Sequence, residues 1–172
     1  LFRINDQYIL TVEAYKYFYR TETRIEYDFY GTPIPYTYKV FDGYDFYDMI
    51  IVGFSLDGKL VWNNDFPLKN VKTKVLARNT TVFKDDDFII MAHVNNGKII
   101  TQTIDENVDI GAQEVLIESK ASRDRVTTDE NTFLTHWYDD FFLVYGYQQV
   151  NNRSMGDQSI RTVFFANNVA FQ

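Results

Sequence analysis

From Tyr15 to Phe29 the chain alternates two kinds of side chain. Odd positions carry Tyr15, Tyr17, Tyr19, Thr21, Thr23, Ile25, Tyr27 and Phe29; even positions carry Lys16, Arg20, Glu22, Arg24, Glu26 and Asp28, with Phe18 the exception. A period of two sends successive side chains to opposite faces of a sheet, whereas a helix would repeat its apolar positions every three or four residues. One face therefore packs and the other is solvated. No Gly or Asn lies near Thr21 to Thr23 to make a tight primed turn, so the segment is either one long bent strand or a hairpin with an irregular turn.

Two hairpin signals follow. Met49 to Leu56, Asp57-Gly58 and Lys59 to Trp62 read as an apolar strand, a type I′ turn dipeptide and a return strand. In a two-residue register Leu56 faces Lys59, Phe54 faces Val61, and the Trp62 indole lies across from Gly53, which has no side chain to obstruct it. Phe88 to Val94, Asn96-Gly97 and Lys98 to Thr103 repeat the arrangement, with Asn95 opposite Lys98 and Val94 opposite Ile99. A third unit, Phe141 to Val150 and Ile160 to Ala166, joins its strands through the longer loop Asn151 to Ser159.

The three units share an order: an apolar or aromatic pair, an acidic turn, an apolar run and a small residue, reached at Gly53, Ala92 and Gly146. The acidic turns are Asp42, Asp45 and Asp48, then Asp85-Asp86-Asp87, then Asp139-Asp140. The second interval is longer, partly through a polar insertion at Ser119 to Asn131. Four strands in about 40 to 50 residues is the period of a β-propeller blade. The expected architecture is all-β: a single domain over residues 1–172, with antiparallel four-stranded meanders forming about three blade-like units at about 24–62, 72–103 and 113–166. The segment Ser55-Leu56-Asp57-Gly58-Lys59-Leu60-Val61-Trp62 resembles the outer hairpin of quinoprotein-type or WD-like propeller repeats, where a Gly-containing turn is followed a few residues later by Trp. The resemblance implies a propeller-type repeat, and no cofactor is inferred from it. Closed rings need about four to eight blades, so three units imply a partial propeller belonging to a longer chain, or else a β-sandwich. The first residue, Leu1 rather than Met, fits the same expectation of a processed product or excised piece.

Composition narrows the chemistry. The 172 residues are 45% hydrophobic and 17% aromatic, which suits a globular chain with a sizeable core. No Cys is present, which excludes disulfides, thiolate nucleophiles and Cys-ligated metals. A net charge of −7 argues against nucleic acid as a partner. No apolar run reaches the roughly 20 residues of a transmembrane helix. A secreted, periplasmic or cell-surface setting is the favoured expectation, and Asn79-Thr80-Thr81 and Asn152-Arg153-Ser154 match the glycosylation sequon.

Few residues point to chemistry. His93 and His136 occupy different places in their units and read as isolated strand histidines with local hydrogen bonds. Asp105, Asn107 and Asp109 offer oxygen ligands at alternate positions, as calcium requires, making calcium the one candidate ion. Ile110 stands where the calcium-binding EF-hand loop needs Gly, and Leu116 where it needs a bidentate Glu. Many aromatics fall in phase with core faces; Tyr36, Tyr38, Tyr145 and Tyr147 are the candidates for exposed, ligand-stacking rings. No nucleophile elbow, Walker-type phosphate loop or dinucleotide fingerprint is present. The expected function is a non-catalytic scaffold or binding module that presents loops, Ser119 to Asn131 and Asn151 to Ser159 foremost, to a protein or glycan partner. The alternatives are a fragment of a glycoside hydrolase-like, carbohydrate-active enzyme using paired carboxylates, and a subunit whose sheet edges are completed by another subunit or the rest of a longer chain.

Overall fold

The computed structural model describes residues 1–4, 6–85, 88–95, 97–117, 124–139, 141–152 and 160–170. Among the described residues eleven strands follow in order: β1 (Phe2–Ile4), β2 (Gln7–Tyr27), β3 (Pro33–Ser55), β4 (Leu60–Thr73), β5 (Thr80–Asp85), β6 (Phe88–Asn95), β7 (Lys98–Asp105), β8 (Val108–Leu116), β9 (Asp124–Tyr138), β10 (Phe141–Asn152) and β11 (Ile160–Ala170). They form three antiparallel sheets, ordered β1-β2-β3-β4, β5-β6-β7-β8 and β11-β10-β9. Among the described residues no helix is long and apolar enough to cross a membrane. The chain is all-β and antiparallel, as the alternation requires.

The second sheet is the middle layer. Ile89, Met91 and Ile104 on one of its faces join Ile9, Phe46, Met49, Ile51, Trp62 and Phe66 of the first sheet in one buried cluster. Ile90, Ala92 and Ile99 on the other face join Phe142 and Val144 of the third. This accounts for the composition of β6. A strand covered on both sides has no solvated face to mark with polar residues, so Ile89 to His93 reads as an unbroken buried run without alternation.

The long first alternation is one strand. β2 runs 21 residues and β3 23, and they pair throughout from Gln7↔Ser55 to Tyr27↔Pro33. Their turn lies further on than Thr21 to Thr23: the Asp28 carboxylate accepts from the Tyr30 and Thr32 amides at 2.9 and 2.7 Å, and Gly31 takes φ 79°. Two register shifts, which skip Tyr47 and Asp42, bulge β3 and bend the pair. Asp42, Asp45 and Asp48 therefore lie inside a strand and at its bulges, not in a turn between two strands. Asp85 ends β5 and Asp139 stands in the β9–β10 connection, while Asp86, Asp87 and Asp140 lie outside the described residues.

The Gly53↔Trp62 pairing is as expected, and a Cβ at position 53 would fall 2.3 Å from the indole. The turn beside it differs from expectation. Among its residues the left-handed region is reached by Gly58 alone, at φ 81°, and Phe54 pairs with Leu60 after a register shift. This is a type I turn with a Gly bulge in place of a type I′ pair. The second hairpin has the expected Asn95↔Lys98 and Val94↔Ile99 pairs; Asn96 lies outside the described residues. β8 pairs with β7 at the outer edge of the middle sheet, so Gln113 to Leu116 closes that sheet and does not open the next. Asp124 to Asn131 of the expected polar insertion is strand, paired with β10. Residues 119–123 and 153–159, from the two loops expected to meet a partner, lie outside the described residues.

Candidate functional site

β4 pairs with β3 only from Tyr44 to Phe54. Beyond that point β2 and β3 continue as a two-stranded ribbon, with Phe18 opposite Gly43 and Tyr27 opposite Pro33. A free two-stranded ribbon is marginal in water, and the aromatics along this one show how it is held. On one face Phe46, 2% exposed, anchors Tyr15 at 5.5 Å; Tyr15 then contacts Tyr44 at 5.4 Å, Tyr44 contacts Phe41 at 5.4 Å, and Phe41 meets Tyr19 at 6.0 Å. The ladder begins in the core and ends in solvent.

The opposite face carries Tyr36 and Tyr38, stacked with centroids 6.1 Å apart and planes 23° from parallel. Both are exposed, as expected. Each stands across from a charge, Arg24 and Glu22 respectively. The Tyr38 hydroxyl donates to Glu22 Oε2 at 3.0 Å, and that bond, with the carboxylate's negative charge, raises the phenol's pKa.

Tyr145 and Tyr147 are exposed on the outer face of the third sheet, where Tyr145 stacks on Phe133 at 5.7 Å and Tyr147 meets Phe164 edge-on at 5.5 Å. Across the molecule, the outer face of the first sheet is also apolar, with Tyr8↔Phe54, Leu10↔Val52 and Val12↔Ile50 as cross-strand pairs. Tyr8, Val12 and Ile50 are exposed. Both outer layers of the stack thus show water an apolar face.

A cleft of about 320 Å³ opens where the first and second sheets meet, lined by Ile4, Gln7, Ile9, Trp62, Ile89, Asp105 and Glu106. Three of its polar side chains are engaged with one another. Trp62 Nε1 donates to Gln7 Oε1 at 2.6 Å, and Gln7 Nε2 donates to Glu106 Oε1 at 2.9 Å. The indole is 6% exposed, so the cleft serves first as a polar tie between sheets.

The calcium candidates sit at this rim but do not converge. Asp105 pairs with Val108 and Asp109 with Ile104, which sets the two carboxylates on opposite faces of the hairpin, with Asn107 in its turn. Among the described residues no three His, Asp or Glu side chains gather as a metal site. The histidines also stay apart. His136 stacks on Phe83 at 4.2 Å and its Nε2 donates to the Asp139 carbonyl at 2.7 Å. His93 faces the first sheet, edge-on to Phe66 at 4.9 Å, and neither ring nitrogen has a partner, contrary to the expected local hydrogen bond.

Neither family models, curated proteins nor solved structures yield a match to this chain. The geometry therefore carries the functional reading unaided.

Proposed function

We propose that the protein is a non-catalytic, propeller-like scaffold or binding module that presents exposed aromatic surfaces to a protein or glycan partner. The observation behind this is the pair of apolar outer faces on a stack whose middle sheet is buried on both sides. A stack closed on itself solvates its outer faces; apolar rows of this kind on a soluble sheet mark where something else packs. Successive meanders stacked face to face are also how propeller blades are arranged, which keeps the partial-propeller reading ahead of a two-layer sandwich.

Asp57 and Glu114, whose carboxyls are held below the usual range by lysine partners, lie in exposed ion pairs with Lys59 and Lys98, while Asp42, held down by Lys74, is half-buried in a small groove with Phe18 and Lys72. A glycan array and a panel of chromogenic glycosides, applied to the chain and to Tyr36→Ala/Tyr38→Ala and Tyr145→Ser/Tyr147→Ser, test the proposal. Binding without turnover, weakened in one variant, is the expected result for a glycan-binding module, and absence of any glycan binding restricts the partner to protein. Hydrolysis of a glycoside would overturn the non-catalytic reading.

A further inference from the structure

The outer edge of β2 is free. β1 covers it only at Gln7, Tyr8 and Ile9, and from Leu10 to Tyr27 that edge has no strand partner among the described residues. Long exposed edges are pairing sites, and proteins that stay monomeric usually blunt them with Pro, a bulge or charged side chains. β2 has no Pro, and both bulges of the ribbon fall on β3 instead.

Its charges alternate in sign on one face: Arg20, Glu22, Arg24, Glu26. In one copy they pair along their own strand, Arg20 with Glu22 at 2.6 Å and Arg24 with Glu26 at 3.8 Å, and all four side chains are substantially exposed. The sequence is antisymmetric about Thr23. When the edge is laid antiparallel against a second copy with Thr23 opposite Thr23, Arg20 faces Glu26, Glu22 faces Arg24, and the two-fold axis repeats both pairs. Sliding the strands by two residues in either direction sets Arg against Arg and Glu against Glu, which is unfavourable. On the other face the same register sets Thr21 against Ile25 and Tyr19 against Tyr27. Tyr27 is 70% exposed in the single chain.

We infer that two copies of this chain associate through β2 as a two-fold, edge-to-edge pair centred on Thr23. An interface of this kind is isologous, since each residue's partner is met by its own counterpart. Main-chain hydrogen bonds contribute affinity and the charges set the register. The two ribbons then form one four-stranded sheet, which removes the marginality of each alone.

Sedimentation of the intact chain over a concentration series, with two charge variants, tests this. Arg20→Glu/Arg24→Glu makes the stretch from residue 20 to 26 wholly acidic, and Glu22→Arg/Glu26→Arg makes it wholly basic. Each is expected to lose at least about tenfold in self-affinity, corresponding to about 1.4 kcal/mol, while an equimolar mixture forms a heterodimer at wild-type strength or better. That rescue also shows that both variants fold. Under mild oxidation Thr23→Cys is expected to cross-link two copies and Thr21→Cys is not. A wild-type chain that remains monomeric overturns the inference. So do charge variants that self-associate as the wild type does, or a Thr21→Cys chain that cross-links as readily as Thr23→Cys.

Discussion

His93 shows how far burial outweighs the chemistry of a side chain here. It is 1% exposed, between Thr80 and Ile100 on its neighbouring strands, with Phe66 above it and no hydrogen-bond partner on either nitrogen. Charging the ring there would strand an unpaired cation, so desolvation lowers its pKa from 6.5 to about 4. The unfolded chain takes up this proton as pH falls through about 6.5, and the folded chain resists until about 4. His93 thus leaves stability intact above 6.5 and erodes it across that window, by about 2 kcal/mol between about pH 7 and about pH 5. Urea unfolding at those two pH values is expected to show this loss, and the His93→Leu chain to show little of it. Because both ring nitrogens are unsatisfied, His93→Leu is also expected to cost nothing at neutral pH.

At the scale of an element, the start of β5 is fastened to β2 by one carboxylate. Glu13 accepts from the Asn79 and Thr80 amides, at 3.1 and 2.8 Å to Oε1, and from the Thr80 hydroxyl at 2.5 Å. These bonds tie the chain where it crosses from the first sheet to the second. Glu13→Ala leaves two amides and a hydroxyl without an acceptor in partly buried surroundings and is expected to cost about 2 kcal/mol, with faster exchange at the Asn79 and Thr80 amides. Nothing in the sequence marks Glu13 for this task, because its partners lie 66 and 67 residues away.

Local signals were legible and long-range ones were not. The alternation in β2, the Gly53 and Trp62 complementarity and the Asn95↔Lys98 register each depend on neighbours within one hairpin, where side-chain size and turn chemistry decide the outcome. Asp42 misled because an Asp at a bulge and an Asp in a turn do the same local work. Tyr36, Tyr38, Tyr145 and Tyr147 were recognisable as exposed, since Pro-flanked and strand-alternating positions fix the side on which a ring falls. The charge antisymmetry about Thr23 is also written in the sequence, but it acquires meaning only once that edge is seen to be free.

Across the whole molecule, protection follows layer position. β6 and β7 have strands on both sides and a sheet against each face. Their amides are expected to exchange only with global unfolding, and slowest of all in the chain. Along β2, the amides that point away from β3 between Leu10 and Tyr27 are expected to exchange orders of magnitude faster in dilute solution. Equal protection along both strand edges would mean that the layers do not open independently of their surfaces.

The two tryptophans fall at opposite ends of this layering. Trp62 is shut into the junction of the first and second sheets, while Trp137, on β9 of the third, is 53% exposed. Native fluorescence is therefore expected to superpose a blue emitter and a red one. Loosening the first sheet moves the blue component alone, so the molecule carries an unlabelled optical gauge of which layer parts first.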